Sequence, residues 1–229
     1  MKKYPHLRLE EYDAIIESYE FNRRPNKNNI QILEMFSSLV KDSCEELYSV
    51  YEDKSWKYLR DLQKEDLSFF KNNTGFEEFV YYLCLQLYRT PRLNLDYEKY
   101  GLKAHFVPYF RFILSNLLLF EIWKEQKKYH LILINNHTDL EFIIGDHPIL
   151  DLEETNLNLS HSIFFPISPK KAILLTKEER KYDYLKDMEN NQDVHNINKM
   201  ICSVCCHSIY ASNKEVLKAY NYRALSASI

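Results

Sequence analysis

Glycine is the most telling shortage in this chain: 3 residues in 229. Loops that cradle phosphates need several close backbone approaches, so both a Walker-type nucleotide loop and a dinucleotide fingerprint are excluded. Charge of one sign is also lacking. Against 30 Lys and Arg stand 33 Asp and Glu, and the formal net charge of −3 gives no overall field toward nucleic acid, leaving only a local basic patch to serve. No long apolar run is present either. The most hydrophobic stretch, Phe106 to Trp123, is interrupted by Arg111, Asn116 and Glu121, short of the about 20 apolar residues that cross a bilayer. The opening Met1-Lys2-Lys3-Tyr4-Pro5-His6 has the charge of an export signal but no apolar core behind it. The 5 cysteines, odd in number and without framework spacing, fit a reducing cytoplasmic location better than a disulfide scaffold.

Apolar residues make up 45% of the chain, with 18 Tyr and 13 Phe, enough to build a core with an amphipathic rim. One domain over residues 1–229 is expected: a helical part over 1–128, a β part over 129–176 and a C-terminal helical part over 177–229. Apolar spacing predicts helices over 9–21 and 28–51, joined by the basic turn Arg23-Arg24-Pro25-Asn26-Lys27, then shorter pieces over Trp56–Leu62 and Glu65–Phe70. After Asn72-Asn73-Thr74-Gly75 comes a helix over Phe76–Thr90. Phe76, Phe79, Val80, Leu83, Cys84 and Leu87 share one of its faces; Glu78, Tyr82, Gln86 and Arg89 form a polar row on another. Thr90-Pro91 ends it, because the residue before proline is pushed out of the α region. The next helix, Ala104–Lys127, is apolar nearly all round and is expected to be central and packed on several sides.

Tyr129 to Leu150 reads as a β-hairpin, with runs His130–Ile134 and Leu140–Ile144 flanking Asn135-Asn136-His137-Thr138-Asp139. Closure near His137 and Thr138 would bring Asp146 beside Tyr129 and His130. The polar excursion Asp151–Ser160 is a possible flap over that end. A second hairpin is expected from Ser162–Ile167 and Ala172–Thr176, giving about four strands, followed by polar residues 177–192, a helix Val194–Tyr210 and a last helix Glu215–Ala219. The fold class is therefore α+β: a helical N-terminal half around a buried central helix, packed on a small, mostly antiparallel sheet and closed by C-terminal helices.

Chemistry is expected around Gly145-Asp146-His147-Pro148. Asp146, His147 and His130 could meet there as an acid/base set, or as nitrogen and oxygen ligands for a divalent metal, although their spacing matches no metal motif and no cofactor is expected. The simpler role of Asp146 is a turn or capping carboxylate. Cys202, Cys205, Cys206 and His207 resemble ligands, but at helical spacing the thiols fall among Ile201 and Ile209 on an apolar face, where cysteine packs as a small hydrophobe. Arg89, Arg92, Gln86 and Asn198 are the candidate substrate-binding residues. Gln86, Arg89, Asp146 and Asn198 are expected to converge, the guanidinium pairing with the carboxylate while the amides fill the remaining donors and acceptors.

Four pieces in order, Gln86-Leu87-Tyr88-Arg89-Thr90-Pro91-Arg92, Phe142 through Ile149, Pro166-Ile167-Ser168-Pro169 and Asn198, resemble a bacterial family catalogued as domain of unknown function 4238. The resemblance covers roughly residues 40 to 213. It implies a fold and a candidate site without implying a reaction. Family members look like Gln-x-x-Arg-Thr-Pro, Phe-Ile-Thr-Ser-Asp-Asn-Pro and Pro-Leu-Ser-Pro at these places and commonly open with His-His-Tyr-Val-Pro. In this chain Gly145 stands where Ser is usual, and the His-His opening is absent.

Two functional classes remain open. One is a hydrolase acting on nucleic acid or a nucleotide, with Arg89 or Arg92 on phosphate and Asp146 with His147 or His130 in acid/base work. The other is a non-catalytic binding or regulatory module, for instance in a defence or toxin system, whose polar cluster fastens the fold. Convergence of the arginine row and the Asp146 turn into one open cleft would favour the first; internal pairing would favour the second.

Overall fold

The computed structural model describes residues 46–91, 107–153, 162–212 and 214–220. The expected helix over 9–21, most of that over 28–51, the basic turn at 23–27 and most of the Asp151–Ser160 excursion lie outside them. Helix α1 runs over residues 46–63, so the separately expected piece Trp56–Leu62 is its continuation. Glu65 then takes a left-handed backbone (φ 64°), and only a single 3-10 turn, Ser68–Lys71, forms where a helix over 65–70 was expected. Helix α2, Asn73–Tyr88, begins where the Asn72 side chain accepts the Thr74 amide at 2.9 Å. In its first turn, any side chain at Gly75 would overlap the Phe69 carbonyl, so glycine lets the 3-10 turn lie against the helix. Helix α3, Val107–Lys124, packs on α2, with Ser115, Leu118 and Ile122 turned inward.

Among the described residues seven strands follow: β1 (His130–Asn136), β2 (Ile144–Gly145), β3 (Leu150–Asp151), β4 (Ile163–Ser168), β5 (Lys171–Thr176), β6 (Asp187–Met188) and β7 (Ile209–Tyr210). They make a five-stranded sheet in the order β3-β4-β5-β1-β6, antiparallel except for the parallel β1–β6 edge, and a separate β2–β7 pair. Helix α4, Asn191–Val204, and the short α5, Lys214–Ala219, complete the described chain. The class is α+β, as expected.

Side chains alternate along a strand, and this sheet is buried on both faces. From β4 and β5, Ile163, Phe165, Ile173 and Leu175 join Phe79, Leu83 and Leu62 in a core beneath α1 to α3. Phe164, Ala172 and Leu174, with Ile132 and Ile134 of β1, point the other way and meet Val194, Ile197 and Ile201 of α4. The result is three layers, with the sheet in the middle.

The hairpin expected from β1 and residues 140–144 does not form. β1 pairs instead with β5, Ile132 opposite Leu174 and Ile134 opposite Ala172. Turn chemistry at 135–139 is present, since Asn136 Oδ1 accepts the Thr138 amide at 3.0 Å and its hydroxyl at 2.7 Å. That turn redirects the chain across the sheet end without folding it back. β5 is the better partner because it offers apolar residues to both faces, whereas Leu140 to Ile143 serve only one. The β4–β5 hairpin forms as expected, with an irregularity between Pro166 and Ser168. The C-terminal segment contributes strands β6 and β7 as well as helices, and the helix expected to reach Tyr210 stops at Val204.

Among the described residues, helix α3 is packed on its inward side only, unlike the all-round packing expected, and Ile113, Leu117, Phe120 and Trp123 on its outward side are exposed. No described helix is long and apolar enough to cross a membrane.

Candidate functional site

Residues 141–147 leave the main sheet, and their backbone must find partners elsewhere. Several elements share the task. Asn198, fully buried on α4, accepts the Ile143 amide at 3.1 Å and donates to the Glu141 carbonyl at 2.8 Å, so one side-chain amide does the work of a neighbouring strand. The Phe142 amide donates to the Pro169 carbonyl at 2.9 Å. Ile144 and Gly145 pair with Tyr210 and Ile209 of β7. The Asp146 carboxylate then accepts three successive amides: Cys206 at 3.0 Å, His207 at 2.6 Å and Ser208 at 3.3 Å. Successive amides converging like this form an anion-binding concavity, here filled by the protein's own carboxylate. Buried His147 closes the series, its Nδ1 lying 2.7 Å from the Thr90 hydroxyl at the end of α2.

The expected convergence of Gln86, Arg89, Asp146 and Asn198 is not what the structure shows. The Thr90–His147 bond brings the two motif pieces together, yet the side chains beside it turn away from one another. Arg89 pairs with Glu52 of α1 and lies over the Tyr48 ring, 5.5 Å from its centroid; Gln86 donates to the same carboxylate at 3.4 Å. The polar row of α2 therefore meets α1, and the Asp146 carboxylate has its amides. Asn198 reaches the same segment as Asp146 by a separate route. His130 stands apart at the start of β1, Nδ1 3.6 Å from a Glu179 oxygen, in a pocket shared with Lys71, Asn73, Gln126 and Lys127. It does not meet Asp146, because the hairpin that would have joined them is not made. Arg92 lies outside the described residues.

Sequence reasoning missed Glu52, Thr90 and the 206–208 amides. Thr90 was visible inside its motif. The amides leave no trace in side-chain identity. Cys205 was read as part of a helix; it stands just beyond α4, buried, with its thiol against Gly145. Burial pushes that thiol up to about 12 and Cys202 up to about 11, so neither is a thiolate nucleophile at neutral pH. Among the described residues, no three His, Cys, Asp or Glu side chains are grouped to hold a metal ion.

Beside the fastened segment lies a mainly apolar pocket of about 210 Å³, lined by Phe142–Ile144, Pro166–Pro169 and Tyr210–Ser212. Two of the motif pieces read from sequence thus form its walls. No curated protein and no solved structure matches the chain. A family model does match, over residues 3–215, and the chain belongs to that family, described as protein of unknown function (DUF4238).

Proposed function

We propose that this protein is a non-catalytic binding module whose pocket between β2–β7 and the β4–β5 turn receives an apolar side chain or ring from a partner. One observation carries this reading: residues 141–147 are each fastened internally, leaving an apolar pocket open alongside them. A cavity of about 210 Å³ suits a single anchor group better than a drug-sized ligand, for which sites of roughly 300–1,000 Å³ are usual. Tyr210 at its rim is exposed and presents the amphipathic kind of surface that interface anchors use.

The hydrolase reading has less support. A general base must reach a substrate proton, and Asp146 already accepts three amides; a phosphate-binding arginine must be free, and Arg89 is paired with Glu52. Membership of a defence or toxin system depends on who the partner is.

Ligand-observed NMR with a library of aromatic and aliphatic fragments tests the pocket, using Ala211→Trp to fill it. Binding by the wild type that Ala211→Trp abolishes is the expected result. Hydrolysis of RNA, DNA or nucleotides by purified protein, lost in Asp146→Asn at an unchanged melting temperature, would overturn the proposal in favour of an enzyme.

A further inference from the structure

A second pocket, of about 520 Å³, lies at the other end of β1 from the one beside the fastened segment. Register sets the separation: Asn135 pairs with Lys171 at the β4–β5 turn, whereas His130 pairs with Thr176, about 17 Å farther along at 3.3 Å per residue. Its volume falls within the roughly 300–1,000 Å³ of small-molecule sites. Phe70 and Phe76 give it an apolar wall, their ring centroids 4.9 Å apart. Lys71 and Lys127 stand on its rim, and among the described residues neither pairs with a carboxylate, although Lys124 pairs with Glu121 at 2.8 Å and Lys128 with Glu125 at 2.7 Å. Gln126 adds an unmet demand. In the 3-10 turn Gln126–Lys128, which joins α3 to β1, its Oε1 is shielded from solvent and accepts no hydrogen bond from the described residues, while its Nε2 reaches Asn73 Oδ1 only at 3.4 Å. A carboxamide held so loosely can turn toward a donor in the pocket. Glu179 on the same rim is already engaged, by Lys186 at 2.9 Å and His130 at 3.6 Å.

We propose that this pocket binds a phosphomonoester of a ring compound, of the nucleoside monophosphate kind, with its phosphate at Lys71 and Lys127, its ring on Phe70 and a ring N–H donating to Gln126 Oε1. Charge selects the anion. Two unmatched ammonium groups call for a dianion, and a phosphomonoester carries about −1.5 to −2 at neutral pH where a carboxylate carries a single charge. The wall and the orphaned acceptor select the rest. Inorganic phosphate would answer the lysines and leave both unused, whereas a nucleobase has a face to stack on an aromatic ring and an N–H on its edge. Such a site needs no glycine-rich loop, because lysine meets phosphate as a point charge at the end of its own side chain.

Isothermal titration calorimetry of the full chain with adenosine, guanosine, cytidine and uridine 5′-monophosphates should give a dissociation constant of about 10–100 µM for at least one of them. The matching nucleoside and ribose 5-phosphate should each bind at least about 10-fold more weakly, for each lacks one half of the recognised groups. Lys71→Ala and Lys127→Ala, both at exposed positions, should each weaken the nucleotide about 10-fold at an unchanged melting temperature and leave the nucleoside's affinity as it was. Gln126→Leu should weaken nucleotide and nucleoside by the same factor. Lys199→Ala, exposed on α4 across the sheet, should change neither. Failure of all four nucleotides to bind below about 1 mM overturns the proposal. So do Lys71 and Lys127 variants that bind like the wild type, and a loss in Lys199→Ala equal to theirs, which would reduce the binding to diffuse attraction between charges. Ribose 5-phosphate that binds as tightly as the nucleotide overturns the place given to the ring.

Discussion

Gly145 and Cys205 are predicted to be a coupled pair, and a double-mutant cycle would show it. A side chain at position 145 would place its Cβ on the Cys205 sulfur, while the Cys205 Cβ and the Ser208 carbonyl oxygen stay at 3.4 and 3.5 Å, ordinary contact distances. The clash is therefore with one atom. That atom is also the acceptor of the His147 amide and is buried, so it has little room to rotate. Gly145→Ala alone should cost about 2–4 kcal/mol: about 1–3 for overpacking, with more for leaving a buried amide without its acceptor. Cys205→Ala alone should cost about 1–2 kcal/mol, from the small cavity and the same amide. In the double variant the new methyl occupies the sulfur's place with 3.4 Å to the Cβ behind it. The cost should fall to about that of Cys205→Ala alone, a coupling of roughly 2–4 kcal/mol. Urea midpoints at constant m-value give all four corners of the cycle. Additive costs would refute the reasoning, for they would mean that Gly145 is required by the backbone rather than by its neighbour. The same argument reaches the family: members with Ser at the place of Gly145 should carry a residue smaller than Cys at the place of Cys205.

Four further outcomes follow from the fastened segment and its surroundings. Asp146→Ala should destabilise by about 2–4 kcal/mol, less than three charge-assisted bonds in full because the His207 amide is exposed and can be hydrated; a change under 0.5 kcal/mol in the urea midpoint would contradict its role. Asn198→Leu strips the Ile143 amide and Glu141 carbonyl of their partner and should cost about 2–4 kcal/mol, with faster hydrogen exchange at Ile143 as the direct sign. Arg89→Ala, by contrast, removes a pair whose side chains are 45% and 41% exposed, and a midpoint loss beyond about 1 kcal/mol would show that it matters more than a surface bridge should. Glu78 is held below its ordinary value of 4.5 by bonds from Lys54 at 2.7 Å and Tyr58 at 2.6 Å, so its contribution is present above about pH 4.5 and lost as pH falls through the lowered value. The stability gap between wild type and Glu78→Gln should therefore shrink on acidification, and a gap that stays constant or grows would contradict the assignment.

The class of fold was legible because periodicity reports burial. The inward faces of α2 and the alternation in β4 and β5 are both written in residue type. Pairing was less legible. His130–Ile134 and Leu140–Ile144 look like hairpin arms around a good turn, and only the competing β5, whose residues face two cores, decides the partner. Periodicity within a strand carries no information about which other strand is available. The site was half legible. Asp146, His147, Asn198 and the α2 terminus all belong to one fastening system, but the expectation that opposite charges would find each other gave Asp146 the wrong partner. Backbone amides at 206–208 compete for a carboxylate without leaving a signature in sequence, and Glu52 reaches Arg89 through the packing of α1 on α2. The apolar circumference of Ala104–Lys127 was read as a sign of burial on all sides.

The arrangement of the fasteners bears on how a function for this family should be sought. A segment that leaves a sheet edge and stays ordered must satisfy its amides and carbonyls with side chains, loops or isolated bridges, since an orphaned buried group costs about 1–3 kcal/mol. Residues 141–147 meet that demand with Asn198, Pro169, β7, the 206–208 amides and Thr90, of which Asn198 and Thr90 are polar side chains of the kind usually inspected for catalysis. Polar identity at these places is thus required by the fold, whatever the protein does. Sites that are free to vary with function are those the fasteners frame but do not use: the pocket walls at Ile144, Ile167, Tyr210 and Ala211. Substitutions there leave every bond of the segment intact. A loss of biological activity confined to such variants would locate the function at a surface, whereas a loss in Asp146 and Asn198 variants that follows their loss of stability would trace to the fold.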